Sequence, residues 1–267
     1  MTMKLYSDSD IQDIADAIRS KNGSSDTYKV SEMAQAISNI QIGYSIDQII
    51  ERSAISGDIV YTGNYGIADG MFEKTSITSF KAPYVTEVAS SGVGYRAFAY
   101  CTSLVSVEIP LLANNNSNNM SYCFGGCVNL EKLHLPSIKL TGGNFCEHCD
   151  KLSDVDFSEL VQVSATAFRY CRSLAHIDLP KCERINTNGF NDCRVLTAII
   201  LRHSSVVELQ HINAFTNTPL RGYGGTNSGH IYVPSALISS YQTADNWSTM
   251  YANYPDIFKA IEGSIYE

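Results

Sequence analysis

The feature that most restricts this chain is that it repeats itself. Phe98-Ala-Tyr-Cys101-Thr-Ser-Leu104-Val-Ser-Val107-Glu-Ile109-Pro110 aligns almost position for position with Phe124-Gly-Gly-Cys127-Val-Asn-Leu130-Glu-Lys-Leu133-His-Leu135-Pro136. The pattern returns at Cys149, Leu152, Val155 and Phe157, at Phe168, Cys171, Leu174, Ile177, Leu179 and Pro180, and at Phe190, Cys193, Leu196, Ile199 and Leu201. Successive cysteines of this column lie 26, 22, 22 and 22 residues apart. A degenerate unit precedes them at Ile77, Phe80, Ala82 and Pro83, and an aberrant one follows at Ala214-Phe215, with Thr218 in the cysteine position. A period of this length with a fixed apolar skeleton makes each unit one coil, which buries its apolar side only by stacking on its neighbours. The chain therefore reads as a solenoid.

Within each coil, Leu-x-x-Val-x-Ile-Pro has the alternation of a short strand, with Val107 and Ile109 inward and Ser106 and Glu108 outward. A second apolar pair (Val85/Val88, Ile138/Leu140, Val161/Val163, Val206/Leu209) forms another side of the coil, and Phe with Cys closes the circuit. The third coil departs from the pattern: Cys146 takes the Phe position with Phe145 shifted by one, and Ser158 replaces Pro.

These units resemble the BspA-like leucine-rich repeats, Ala-Phe-x-x-Cys-x-x-Leu-x-x-Ile-x-Ile-Pro, over about residues 75 to 220. The resemblance implies a leucine-rich repeat solenoid, mainly β, with short parallel strands in coils of 22 to 26 residues. The segment from Ile231 through Pro234 and Tyr241 to Trp247 is similar to the strand, helix and Trp-containing cap that ends such arrays. The expected organisation is a helical module over 1–42, a linker or β cap over 43–75, the solenoid over 76–220 and a C-terminal cap over 221–267.

At the N-terminal end, Ile11, Ile14, Ala15 and Ile18 fall at i, i+3, i+4 and i+7, and Val30, Met33, Ala34 and Ile37 repeat that spacing. Ser9 with Gln12 offers a capping box, and Arg19, Lys21 and Gly23 supply stop signals. Two short helices joined by Asn22–Asp26 make an α-helical hairpin, too small to be stable in isolation, so its stripe docks on a partner chain, on itself in an oligomer or on the solenoid. The string Ile14 to Gly23, with Tyr28 and Met33 to Ile37, resembles a module of tail-associated structural proteins of phages and prophages of gut Firmicutes. That resemblance implies an attachment role for Ile11, Ile14, Ile18, Met33 and Ile37. It also agrees with a start, Met1 to Asp10, that turns polar and acidic where a secretory signal has its apolar stretch.

Composition narrows the partners. With 19 basic against 27 acidic side chains and a net charge of −8, the chain is not expected to read a phosphate backbone. Apolar runs such as Ala198–Leu201 fall far short of the ~20 residues of a spanning helix, so no membrane insertion is expected. Cys146-Glu-His148-Cys149 and Cys123-x-x-x-Cys127 have zinc-like spacing, but Cys127 and Cys149 belong to the repeat column and read as a buried thiol ladder. Neither a metal nor another cofactor is expected. There is no Gly-x-Ser-x-Gly elbow, no His-Glu-x-x-His and no phosphate loop, so no enzymatic activity is expected either. The Gly-rich stretch Gly222–Gly229 reads as an exposed loop before the final strand and as a candidate binding tip.

Stacking gathers the outward strand residues Glu108, Lys132, His134, Asp154, Asp156, His176 and Asp178 into one polar row. Asp156 over Asp178 is a like-charge contact that Lys132, His134 and His176 would offset. The row reads either as a cation or basic-ligand site or as a solvated face with compensated charges. Among 16 tyrosines, Tyr100 and Tyr170 share one repeat position and, with the Asn114–Asn119 tract, suit contact with a glycan or protein. The binding candidates are thus Glu108, His134, Asp156, His176, Asp178, Tyr100 and Tyr170.

The functional expectation is a non-enzymatic phage tail or baseplate-associated protein in the virion, joined to other tail proteins through residues 1–42 and recognising a host surface protein or glycan. A bacterial cell-surface or secreted adhesin is the alternative, and a cytoplasmic interaction scaffold the third reading. A homo-oligomer is compatible with all three.

Overall fold

The structure, a computed structural model, describes residues 55–61, 66–86, 94–113, 120–225 and 228–267, all within the unit Arg52–Glu267. Ile11, Ile14, Ile18, Met33 and Ile37, the helical hairpin, the Asn114–Asn119 tract and part of the Gly222–Gly229 loop lie outside the described residues.

Parallel strands carry the array, one or two from each coil. The strands β1 (Ser56–Val60), β2 (Ser76–Lys81), β3 (Ser106–Glu108), β4 (Lys132–His134) and β5 (Asp154–Asp156) form one sheet in that order. On a second side of the coils, β6 (Gln162–Val163), β8 (Arg184–Ile185) and β10 (Glu208–Leu209) pair in parallel. A third sheet runs β7 (His176–Asp178), β9 (Ala198–Ile200), β11 (His230–Val233) and β12 (Phe258–Ala260). Two short helices, α1 (Ile238–Thr243) and α2 (Trp247–Asn253), lie between β11 and β12. The alternation holds at Val107 and Ile109, which are buried while Glu108 faces out, and at Leu133 and Ile177 in the second and fourth coils.

The Phe-x-x-Cys segment forms the remaining side as a tight turn with two left-handed residues. One row of these is Arg96, Tyr122, Asn144, Thr166 and Asn188 (φ 55 to 59°). The other is Lys74, Tyr100, Gly126, His148, Tyr170, Asp192 and Asn217 (φ 56 to 77°). Such conformations cost of order 1 kcal/mol or more for a residue with a Cβ. They are held by bonds between coils: Phe98 N donates to Cys123 O at 2.8 Å, Tyr100 N to Gly125 O at 2.8 Å and Cys146 N to Ala167 O at 2.7 Å. The Cys146 bond places that residue in the Phe row, as its sequence position implies.

Inside, phenylalanines stack coil on coil. Phe72, Phe98 and Phe124 lie 5.2 Å apart in succession with interplanar angles of 13° and 12°, and Phe168 stacks on Phe190 at 5.4 Å and 8°. The third coil interrupts this run: Phe145 meets Phe124 edge-on at 5.3 Å, and Phe157 packs between Phe145 and Phe168. Phe72 and Thr75 occupy the Phe and Cys rows, which extends the pattern one turn ahead of Ile77. Beside the rings runs the thiol ladder. Cys101, Cys127, Cys149, Cys171 and Cys193 donate to Phe72 O, Phe98 O, Phe124 O, Cys146 O and Phe168 O at 2.8 to 3.3 Å. At its two ends the hydroxyls of Thr75 and Thr218 donate within their own coils, to Phe72 O and Phe215 O, both at 2.8 Å. Every cysteine is free and buried.

The last coil has no following coil to satisfy its backbone, and side chains do so instead. Trp247 Nε1 donates to Val207 O at 2.7 Å, Tyr241 Oη accepts from Val207 N at 3.0 Å, and Asn246 Nδ2 donates to Leu209 O at 2.8 Å. Trp247 also stacks on Phe215, so the aromatic column ends on the cap.

Candidate functional site

The outward row on β2 to β5 is an open, charged surface. Its register brings Glu108, His134 and Asp156 side by side, and Ser106, Lys132 and Asp154 beside them. Lys81 Nζ lies 2.9 Å from Glu108, His134 Nε2 lies 3.1 Å from Asp154 Oδ1, and Lys132 Nζ lies 4.0 Å from the same carboxylate. Asp156 Oδ1 accepts from Ser158 N at 3.2 Å and Ser158 Oγ at 2.6 Å. At the outer edge Asp58 Oδ1 accepts hydroxyls from Ser79 and Thr78, which hold that carboxyl below its usual range. Exposed ion pairs of this kind set charge pattern far more than stability.

The row does not continue unbroken. Strands β5 and β7 end separate sheets, so Asp156 and Asp178 are not ladder neighbours as the repeat register implied, and Lys132, His134 and His176 do not form a shared neutralising set around them. Asp178 is neutralised instead by Arg202, whose Nε lies 2.9 Å from Oδ2. Arg202 Nη2 also donates to Tyr266 O at 2.5 Å, and the Tyr266 ring lies 6.3 Å from His176 and 4.7 Å from Tyr232. The outward positions of β9 are apolar: Ala198 and Ile200 are buried with Ile261, against partly buried Tyr232 and Tyr266. The closing segment thus covers the outward face of the third sheet and leaves His176 and Asp178 at its exposed rim. Arg202 and Tyr266 were not read from the sequence; the signal was Ala198 and Ile200, two apolar residues at outward positions.

Tyr100 and Tyr170 lie on the turn side, in the second left-handed row, away from the strand row. Their rings lie along the surface in opposite directions. A Cβ added to Gly126, in the following coil, would sit 2.5 Å from the Tyr100 ring, whereas Tyr170 stacks on His148 of the preceding coil at 4.2 Å. Guanidinium groups flank both: Arg96 is 5.5 Å from the Tyr100 centroid, and Arg169 and Arg172 are 4.5 and 5.0 Å from that of Tyr170. Each arginine has an acid, with Arg96 on Glu73, Arg169 on Glu147 and Arg172 on Asp150. Tyr170 is therefore enclosed, while Tyr100 remains 47% exposed. The stacked His148 imidazole is turned outward from the buried Cys146 and Cys149, which separates the parts of the zinc-like spacing. Among the described residues no group of three or more His, Cys, Asp or Glu is placed to hold a metal ion.

Residues 65–197 match the family model described as BspA type Leucine rich repeat region, in 6 copies. The repeats are of the BspA type. The left-handed turn, the Phe stack and the thiol ladder are thus the physical content of the BspA-type unit in this chain. Among solved structures, a leucine-rich repeat protein from Bacteroides ovatus ATCC 8483 is similar at 20% identity with a TM-score of 0.42. The similarity covers 74% of this chain and 46% of that one, so the chain spans less than half of that protein's length. No curated protein matches the sequence. No helix among the described residues is long and apolar enough to cross a membrane.

Proposed function

We propose that the chain is a non-enzymatic recognition protein of a phage tail or baseplate, which attaches to other tail proteins through residues 1–42 and presents its BspA-type array to a protein or glycan on the host surface. The recognition half rests on one observation: the outward row of β2 to β5 carries Glu108, Lys132, His134, Asp154 and Asp156 on parallel strands held in register, β5 through its pairing with β4. A rigid scaffold holds such a row at fixed spacing and loses little entropy when a partner docks. The attachment half rests on the resemblance of the Ile14 to Ile37 pattern to tail-associated modules.

Mass spectrometry of purified particles induced from the source strain tests the setting. Peptides of this chain in stoichiometric amounts with tail proteins support it, and their absence from particles overturns it. Glu108→Ala with Asp156→Ala tests the surface, and host-cell binding unchanged in that double variant removes the strand row from the reading. The BspA-type repeats favour a second reading, an adhesin of the bacterial surface, which detection of the protein on intact uninfected cells would support.

A further inference from the structure

The sheet that carries the outward row stops between β5 and β7, and the break leaves backbone groups without partners. Elsewhere the strands join regularly: Ile109 N donates to His134 O at 3.1 Å, Leu135 N to Asp156 O at 3.0 Å and Leu179 N to Ile200 O at 2.9 Å. The corresponding donor at the break, Phe157 N, makes no such bond to Asp178 O. Glu131 O accepts from Ser153 N and Asp154 N, and Ala175 O from Thr197 N and Ala198 N, yet Ser153 O receives nothing from β7. Asp154 and Asp156 spend their backbone groups on β4, so by alternation Val155 turns its N–H and C=O toward β7. His176 and Asp178 likewise turn theirs toward β5. No group among the described residues bonds these edges.

Two side chains account for the break. Phe157 occupies the inward position held by Ile109, Leu135, Leu179 and Leu201 in other coils, and its ring packs 5.4 Å from Phe168 of the next coil. A ladder here would also set Asp156 directly against Asp178, a destabilising like-charge pair. The coils remain joined on their other sides, where Cys146 N donates to Ala167 O at 2.7 Å, His148 N to Arg169 O at 3.0 Å and Glu183 N to Val161 O at 2.8 Å. The opening is therefore a wedge on the strand side, and Val155 is only half-buried where Val107, Leu133 and Ile177 are fully buried.

We propose that this wedge receives an extended peptide segment of a partner protein, which adds as a strand between β5 and β7 with basic side chains at alternate positions. The unpaired N–H and C=O groups on both edges supply a template for main-chain bonding. Outward side chains of the entering strand lie between Asp154 and Asp156 on one side and Asp178 on the other; Asp154 already meets His134 and Lys132 and Asp178 meets Arg202, so Asp156, held only by Ser158, is the carboxylate that selects Lys or Arg. Inward side chains meet Val155, Phe157 and Ile177, which selects small apolar residues. Entry opens the wedge until the strand sits about 4.8 Å from each neighbour, with the turn-side bonds as the hinge. This deepens the recognition reading by naming a peptide rather than a glycan as the ligand of this stretch of the row.

The test uses the full chain and a fluorescent Lys-Val-Lys-Val-Lys peptide, with a second peptide N-methylated at alternate amides to block strand pairing. In the free chain the amides of Val155, Phe157, His176 and Asp178 are expected to exchange rapidly with deuterium, and to become protected when the unmethylated peptide is added. The N-methylated peptide is expected to bind about tenfold more weakly or worse, as the loss of two or so net hydrogen bonds implies. Asp156→Lys, at a half-buried surface position, is expected to weaken the unmethylated peptide by a similar factor. Slow exchange at Phe157 and Asp178 in the free chain overturns the proposal, as does equal binding of the two peptides, which is charge attraction alone, or no saturable binding up to about 1 mM. Failure here is distinct from failure of the wider reading, which the particle and host-cell assays decide.

Discussion

The indole N–H of Trp247 donates to the carbonyl oxygen of Val207 at 2.7 Å, so a helix beyond the array completes the backbone of its last coil. Trp247→Phe keeps the ring packing on Phe215 and leaves that carbonyl buried without a donor, a loss of about 1–3 kcal/mol. Urea unfolding followed by circular dichroism checks this. Tyr241→Phe removes the acceptor for Val207 N, and because both bonds serve one residue, the double variant is expected to lose less than the sum of the singles.

Tyr100 and Gly126 are coupled through contact. Gly126→Ala places a Cβ 2.5 Å from the Tyr100 ring at a residue with φ of +77°, so both a clash and a left-handed cost arise. The expected destabilisation is about 1–3 kcal/mol. In a Tyr100→Ala background the clash disappears and only the backbone cost of about 1 kcal/mol remains. Equal effects of Gly126→Ala in both backgrounds would show that the ring does not lie over Gly126.

Burial pushes the Cys146 and Cys182 thiols up to about 12 against an ordinary 9.0. A raised thiol pKa means the folded chain holds protons that the unfolded chain releases. Stability from this source is therefore complete below pH 9.0 and declines as pH rises toward about 12. Urea midpoints between pH 7 and 10.5 are expected to fall, with a shallower fall in Cys182→Ala. At pH 8 none of the eight cysteines is expected to react with a chromogenic disulfide reagent before unfolding, and all eight after it.

Arg202 ties Asp178 to the carbonyl of Tyr266. Tyr266→Ala or Arg202→Ala is expected to loosen the closing segment and expose Ala198, Ile200 and Tyr232. Hydrogen exchange within 261–267 should rise several-fold with little change in the global unfolding midpoint, since this segment covers an outward face rather than the core. A matching fall in the global midpoint would show that the segment belongs to the cooperative unit.

What could be read in advance was what repeats. Val107, Leu133 and Ile177 were legible as inward positions because the alternation recurs coil after coil, and the cap was legible from Trp247 in its context. Phe72 and Thr75 were also within reach, since stepping 26 residues back from Phe98 and Cys101 lands on them. The break between β5 and β7 was not legible, because a repeat register assumes that each coil pairs with the next, and a bulky Phe157 at a Leu position looks conservative on a hydrophobicity scale. Nor was the contact of Arg202 with Tyr266, which joins residues 64 apart by no periodic rule. Tyr100 and Tyr170 share a row, yet one is open and the other enclosed, because their neighbours in the next and preceding coils are Gly126 and His148.

The threonines at the ends of the thiol ladder bear on how such a gene can change. Each internal cysteine reaches for the carbonyl of the coil before it, while Thr75 and Thr218 close on their own coils. The two ends are thus finished independently of how many identical rungs lie between them. Unequal recombination that removes or duplicates one 22-residue unit, such as that between Cys171 and Cys193, removes or adds one rung and keeps both ends. The length of the outward strand face can then grow or shrink in whole steps while the termini of the ladder stay the same.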